Sequence, residues 1–182
     1  PYTTLFRSLS ITAVAALSSY RQSKVFGYVK VANPDGQKGK VKLGFSFVAE
    51  NSKKEFSEKF ELSGEPEQIV KFSEKWKNPL LWDVENPNVY KMTVALSADS
   101  SVLDTFPVRD FGFREMWVEN GGFMLNGKKT RLRMWTSPAL NRLRQYFINP
   151  ASMAQHIAHI KELNYDTVRF DPLERLSQVA WD

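Results

Sequence analysis

The sequence predicts a mainly β protein in which an antiparallel sandwich precedes a strand–helix–strand unit. In the first two thirds, short alternating segments recur roughly every 8–15 residues with turn residues between them, which indicates about seven sandwich strands. After Gly127 the apolar spacing becomes helical. A strand, a helix and a strand in succession imply a parallel sheet. One such unit cannot cover both faces of its strands, so we expect it to open a larger α/β domain.

Alternation of apolar and polar residues places the sandwich strands. Lys40–Val48 is the clearest, because its apolar residues all fall on one face. Val89–Leu96 alternates with a local slip. Between the second and third strands, Asn33–Gly36 predicts a turn, since proline presets φ and glycine accepts positive φ. The predicted strands are Ser10–Ser18, Val25–Val31, Lys40–Val48, Glu55–Leu62, Gln68–Phe72, Val89–Leu96 and Val102–Phe113.

The second part begins with a short predicted strand over Thr130–Trp135. Asn149 and Pro150 suit the cap and first position of a helix, which we expect to end at Asn164. A further strand is predicted over Asp166–Phe170. Apolar residues recur along the helix at Met153, Ile157, Ile160 and Leu163.

Composition excludes several classes of function. The absence of cysteine rules out a disulfide scaffold, a thiol nucleophile and a cysteine-ligated metal. The net charge of +5 comes from lysines interleaved with acids, which indicates a solvated surface rather than a nucleic-acid footprint. No apolar run approaches the roughly 20 residues of a membrane helix. We therefore expect neither a nucleic-acid nor a membrane partner.

Cofactor motifs are also missing from the sequence. It contains no glycine-rich phosphate loop and no dinucleotide fingerprint, and we expect no cofactor. The two histidines, His156 and His159, would need a third ligand to hold a metal, so we expect no metal site. The compartment stays open, with a periplasmic or secreted location favoured.

The two ends of the sequence suggest a fragment. Residues 1–8 (PYTTLFRS) resemble one reading frame of a sequencing adapter. We expect them to be an assembly artefact, the alternative being a genuine loop or strand start. Ser177–Asp182 stops without a cap, which suggests a longer reading frame.

Four segments, in this order, resemble motifs of glycoside hydrolase family 2, the β-galactosidase, β-glucuronidase and β-mannosidase group. They are Pro79–Tyr90 (PLLWDVENPNVY), Asp110–Glu115 (DFGFRE), Phe123–Arg133 (FMLNGKKTRLR) and Ala154–Phe170 (AQHIAHIKELNYDTVRF). The resemblance implies an immunoglobulin-like β-sandwich over residues 9–117. It implies that residues 118–182 start a truncated (β/α)8 TIM barrel. Trp82 is expected to close a sandwich edge, and Asn126 with Gly127 to form a hairpin turn.

The resemblance also implies a chemistry. Retaining glycosidases of this type use two carboxylates, an acid and a nucleophile. In the family these glutamates lie on later barrel strands, beyond residue 182, so we expect no catalytic residue in this fragment and no activity from it alone. The substrate implied is a carbohydrate, as an oligosaccharide or glycoside.

Three residues are candidates for substrate binding or active-site support, because they follow the first two barrel strands. Arg169 matches the family arginine that hydrogen-bonds the nucleophilic glutamate, and a structural ion pair is its alternative. Trp135 is expected either to stack on a sugar or to pack in the core. Asp171 is expected either to bind sugar hydroxyls or to cap a loop.

The sequence departs from the family after both strands. Thr136-Ser137-Pro138 replaces an Asn-Arg-His segment, and Asp171-Pro172-Leu173-Glu174 replaces Ser-His-Tyr-Pro. The missing histidines argue against an ordinary β-galactosidase. The alternatives are a non-catalytic carbohydrate-binding or adhesion module and a pseudo-enzyme that has lost its glutamates.

Overall fold

The computed structural model describes residues 8–99, 101–136 and 150–169, and it confirms a mainly β chain. The chain divides into two compact units, residues 1–117 with 124–128, and residues 118–123 with 129–182. The elements are β1 (Ser10–Ser19), β2 (Lys24–Ala32), β3 (Lys38–Ala49), β4 (Ser52–Ser63), β5 (Glu67–Lys75), β6 (Tyr90–Ala98), β7 (Ser101–Phe111), β8 (Met116–Glu119), β9 (Gly122–Leu125), β10 (Lys128–Thr130), β11 (Met134–Thr136), α1 (Pro150–Glu162) and β12 (Thr167–Arg169).

The first unit is a sandwich of two antiparallel sheets, with strand orders β1-β2-β5 and β4-β3-β6-β7. All seven predicted sandwich strands are present. The predicted alternation in β3 is confirmed, because Val41, Leu43, Phe45 and Phe47 are all buried.

Aromatic side chains fill the space between the two sheets. Phe47 is fully buried, and its ring lies 5.0 Å from that of Phe111 and 5.2 Å from that of Trp76. The ring of Trp76 in turn lies 4.9 Å from Tyr90. Such edge-to-face ring pairs add to the hydrophobic stabilisation of a core.

Two details of the sandwich differ from the sequence pattern. The slip expected in β6 is absent, because Tyr90 occupies the inward position and Val89 is exposed. Tyrosine is not a typical core residue because of its hydroxyl group, so the sequence pattern did not place Tyr90 inside. In the fold this hydroxyl lies 2.9 Å from the Ser52 hydroxyl and accepts a hydrogen bond from the Leu80 amide at 2.6 Å. In β1 the register shifts between Ile11 and Ala13, so this strand does not alternate simply.

The segment after the sandwich contains more strands than expected. Strands β8, β9 and β10 form a small sheet of their own. Asn120 and Gly121 join the first pair, and Asn126 and Gly127 the second, all four with positive φ as a tight hairpin turn requires. The single strand predicted over Thr130–Trp135 is therefore wrong, since β10 ends at Thr130 and β11 begins at Met134.

In the second unit, β11 and β12 pair in parallel on either side of α1 in the sequence. The helix ends as predicted near Asn164, whose φ is 61°. Its apolar stripe is only half buried, because Met153 and Ile160 are covered while Ile157 and Leu163 are exposed. That these elements open a barrel remains a prediction.

Candidate functional site

The ends of β11 and β12 hold the described candidate site residues. Met134, Trp135 and Thr136 pair with Thr167, Val168 and Arg169. The register therefore brings Trp135 and Arg169 to adjacent positions on neighbouring strands. Asp171, the third candidate, lies outside the described residues.

Trp135 and Arg169 lie on opposite faces of this strand pair. Paired residues share a face, and successive residues alternate. Trp135 is half-buried, and its ring meets the His156 ring of α1 edge-on at 5.0 Å, so its face is the one that the helix covers. Arg169 shares the other face with Thr136, and both are exposed. The contact of Trp135 is a packing contact.

An ion pair joins the beginnings of the two strands. The Asp166 carboxylate accepts hydrogen bonds from the Arg133 amide at 2.9 Å, the Thr167 hydroxyl at 2.8 Å and the Arg133 Nε at 3.3 Å. Burial opposes ionisation of Asp166, but these hydrogen bonds outweigh it and hold its pKa below the usual range. The pair fixes the register of β11 and β12 at the end opposite to Arg169.

The two histidines of α1, His156 and His159, have no third metal ligand among the described residues. Within residues 8–99, 101–136 and 150–169, no three His, Cys, Asp or Glu side chains come together as metal ligands would. Burial, followed by the nearby His159, lowers the pKa of His156. In the same described residues, no helix is long and apolar enough to cross a membrane.

A second cluster joins three of the sequence motifs within the first unit. The Arg114 guanidinium lies over the Trp82 ring at 4.1 Å, and the buried Asn126 donates from Nδ2 to the Trp82 carbonyl at 2.8 Å. The Glu115 amide donates to Asn126 Oδ1 at 2.9 Å. Gly112 packs closely here, since a Cβ at this position would lie 3.1 Å from the Trp82 side chain. We call these residues, with Glu115 and its partners below, the motif junction.

Glu115 anchors the first strand to this junction. Its Oε1 accepts from Arg21 Nε at 2.8 Å and Nη2 at 2.6 Å, and its Oε2 accepts from the Arg21 amide at 2.9 Å and the Ser19 hydroxyl at 3.1 Å. Partial burial works against ionisation, but these hydrogen bonds outweigh it and lower the pKa of Glu115. The Arg21 guanidinium also lies 4.7 Å from the centre of the Trp117 ring.

Sequence reasoning found only part of the junction. The segment around Trp82 turns sharply, with a bridge from Trp82 to Pro87 and another from Leu81 to Phe113. That Trp82 closes a sandwich edge stays a prediction. Arg114 stacks on Trp82, a contact that its place in the strand pattern did not indicate. Arg21 and Ser19 were missed, because they lie far from Glu115 in the sequence and no local pattern marks them.

The fold defines a two-sheet β-sandwich protein with a parallel strand–helix–strand segment attached. The family model described as Glycosyl hydrolases family 2 matches residues 8–114. That match covers more than half of the 182 residues, and the chain belongs to this family.

Solved structures share the fold. A glycosyl hydrolase family 2 member from Bacteroides cellulosilyticus DSM 14838 matches with a TM-score of 0.73 and 22% identity, over 90% of this chain and 23% of its own. A β-glucuronidase from Parabacteroides merdae matches with a TM-score of 0.60 and 22% identity, over 92% of this chain and 21% of its own. A β-glycosidase from Bacteroides vulgatus matches with a TM-score of 0.62 and 18% identity, over 90% of this chain and 22% of its own. The chain thus spans less than a quarter of the length of these three proteins.

Proposed function

We propose that this chain is part of a retaining β-glycosidase. In this proposal, residues 9–117 form the immunoglobulin-like domain and residues 118–182 open the (β/α)8 catalytic barrel. The family match over the sandwich carries the proposal. The parallel pairing of β11 with β12 around α1 supports the second part, because repeated units of this kind build such a barrel.

The proposed reaction is hydrolysis of an O-glycosidic bond in a carbohydrate. One carboxylic acid protonates the leaving oxygen, and a carboxylate about 5–5.5 Å away attacks the anomeric carbon. Water then hydrolyses the covalent glycosyl-enzyme, and configuration is retained. We place both carboxylates in the polypeptide outside residues 1–182. The sandwich has an architectural part in this proposal, which is to position a sugar-binding domain against the barrel.

Arg169 is the residue of this chain that we place nearest to the chemistry. Its exposed side chain stands on the face of the strand pair that Trp135 and α1 leave open. A guanidinium there would keep a neighbouring carboxylate ionised at working pH. Asp171 is proposed to hydrogen-bond sugar hydroxyls. For Trp135 we keep the proposed sugar contact beside the observed packing on His156.

The experiment for Arg169 uses the longer protein that carries this chain. We expect Arg169→Met to lower kcat roughly a hundredfold, the size expected for losing one preorganised charge contact. The acidic limb of the kcat/KM profile should move to higher pH, because a carboxylate without its cation has a higher pKa. The control is Arg131→Met, at an exposed arginine before β11. If Arg169→Met lowered stability but left kcat and the pH profile unchanged, the role of Arg169 would be a structural ion pair and not active-site support.

The sugar is the open part of the proposal. The longer protein should be screened with aryl β-galactoside, β-glucuronide and β-mannoside, alongside other aryl β-glycosides. Release of the aryl alcohol from any of them supports the proposal. A folded protein that hydrolyses none of them favours the pseudo-enzyme or the non-catalytic binding module.

One observation bears on the binding module. Tyr28 is 41% exposed on the outer face of the sandwich, as a sugar-stacking residue would be. Retention of the 182-residue chain on insoluble polysaccharides, abolished by Tyr28→Ala, would favour that alternative.

A further inference from the structure

The two outer faces of the sandwich have very different compositions. The pairing register identifies the outward residues of β1, β2 and β5. Among these outward positions, Leu17 is 58% exposed, Ile69 is 54% exposed and Tyr28 is 41% exposed. Phe26 lies between Leu17 and Ser73 in the same register and is half-buried. These residues, with Ala13 and Ala15, form what we call the apolar face.

The opposite outer face is polar. Along β3, β4 and β6, the one large apolar side chain that points outward is Val48, and on β7 the register also places Val102 outward, where it is 66% exposed. The other outward residues of β3, β4 and β6 are charged, hydroxylated or small: Lys38, Lys40, Lys42, Gly44, Ser46, Lys53, Glu55, Ser57, Lys59, Glu61, Ser63, Lys91, Thr93, Ala95 and Ser97. A solvated sheet face has this composition. The apolar face of the other sheet therefore needs an explanation of its own.

Most of the charges around the apolar face are positive. Four lysines point outward from β2 and β5, namely Lys24, Lys30, Lys71 and Lys75. The one outward acid on these strands is Glu67, and it pairs with Lys30 at 2.9 Å. Lys24 Nζ also lies 5.0 Å from the Phe26 ring. An apolar centre with a basic rim complements a surface with an apolar centre and an acidic rim.

This composition fits a protein surface better than a sugar. A sugar platform combines flat rings with polar groups that bind hydroxyls. Leu17 and Ile69, the two most exposed side chains of the apolar face, offer neither. Branched aliphatic side chains beside aromatic rings are instead typical of the core of a protein interface.

We propose that the apolar face is an interface, covered by another folded domain of the same polypeptide that presents an apolar centre and acidic rim. The inference rests on the proposed function in one respect, namely that the chain belongs to a longer protein. It would also explain why Ile11–Leu17 is apolar on both faces of β1, since one face enters the sandwich core and the other enters this interface.

The experiment measures thiol accessibility in the longer protein. Residues 1–182 contain no cysteine, so a cysteine introduced there is located by peptide mapping. Ile69→Cys reports the apolar face, and Val48→Cys, which is 43% exposed on the polar face, is the matched control. We expect the Ile69→Cys thiol to react with a maleimide about tenfold or more slowly than the Val48→Cys thiol. The reason is that a covered thiol reacts only in a minor open state.

The same experiment identifies the occupant. Protection that does not change with protein concentration supports an interface within one polypeptide. Equal labelling rates at the two positions would overturn the proposal. Protection that disappears on dilution would overturn it in favour of a second copy, and protection that appears only with added oligosaccharide would overturn it in favour of a sugar.

A charge-reversal pair gives an independent readout. Lys71→Glu together with Lys75→Glu should raise the labelling rate of the Ile69→Cys thiol, because the acidic rim of the occupant would repel the new carboxylates. The matched pair on the polar face, Lys42→Glu with Lys59→Glu, should leave the rate unchanged. Equal effects of the two pairs would contradict the proposal. Neither readout depends on glycosidase activity, so an inactive protein with a protected face would count against the proposed function alone.

Discussion

The sandwich and the strand–helix–strand segment differ in how much of a core each supplies. The buried apolar cluster of the sandwich runs from Leu9 to Phe113 and draws on both of its sheets. In the second unit, over residues 118–123, 129–136 and 150–169, the buried side chains are Met153 and Ile160. The sandwich therefore has the core of a layered domain, whereas the described residues of the second unit bury only these two side chains. A segment that opens a larger domain is expected to have this character.

The largest effect that separates the two parts should come from the aromatic core. We expect Phe47→Ala to lower the free energy of unfolding by about 3–5 kcal/mol, because it leaves a cavity among closely packed rings. The matched change in the second unit is Ile157→Ala, at an exposed helix position. We expect it to lower the free energy of unfolding by less than about 1 kcal/mol. Urea unfolding followed by tryptophan fluorescence measures both. Similar losses at the two positions would contradict the difference between the two parts.

Two strand glycines sharpen the account of the sandwich. A Cβ on Gly27 would lie 1.9 Å from the Ala15 carbonyl oxygen, whereas one on Gly44 would find its nearest neighbour at 4.0 Å. Gly27→Ala should therefore cost about 1–3 kcal/mol in the free energy of unfolding, as other overpacking changes do. Gly44→Ala should be neutral or stabilise by about 0.5–1 kcal/mol. Denaturant titration of the two variants tests the β1–β2 register. That register would be refuted if Gly44→Ala lowered the free energy of unfolding more than Gly27→Ala did.

The motif junction should make stability depend on pH. Glu115→Gln should lower the free energy of unfolding at neutral pH by about 1.5–3 kcal/mol, the range for hydrogen bonds to a charged group. Because the folded pKa of Glu115 lies below its unfolded value, its contribution is present above the unfolded pKa of roughly 4.3. It is lost as the pH falls through the lower folded pKa.

The pH series needs a variant that leaves the junction intact. Thermal unfolding of wild type, Glu115→Gln and the exposed control Glu50→Gln across this range measures the effect. If wild type and Glu115→Gln differ by the same amount at low pH as at neutral pH, Glu115 does not act through its charge.

The smallest effect is expected at the ion pair of the second unit. Asp166→Asn should cost about 0.5–1.5 kcal/mol, because an asparagine can still accept the Arg133 amide hydrogen bond. In the Asp166→Asn variant this loss should appear as faster amide hydrogen exchange confined to β11 and β12. Faster exchange across the sandwich strands instead would contradict the separation of the two units.

Periodicity predicted most of the sandwich because each strand has one face in the core. Val41 to Phe47 is the clearest case. At β1 a register shift and a second apolar face remove the alternation, so that strand was predicted from its apolar content instead. In α1 periodicity predicted the helix but not its burial, because Ile157 belongs to the apolar stripe and is exposed. The hairpin between β8 and β9 was missed although Asn120 with Gly121 is itself a strong turn signal.

The candidate sites depended on resemblance rather than on spacing. The register of β11 and β12 is a tertiary property, and the separation of Trp135 from Arg169 onto opposite faces follows from it. Likewise, the partners of Glu115 lie at the end of β1 and in the turn after it, 94 and 96 residues earlier in the chain, a distance that no local pattern spans.

The central claim is that this chain belongs to a retaining β-glycosidase whose nucleophile lies outside residues 1–182. The most direct measurement is the intact mass and peptide map of the longer protein after incubation with 2-deoxy-2-fluoro-β-glycosyl fluorides. The account predicts one covalent fluoroglycosyl adduct, on a glutamate outside these residues, with one of the sugars. A folded protein that hydrolyses aryl β-glycosides but forms no adduct, or an adduct within residues 1–182, would contradict it.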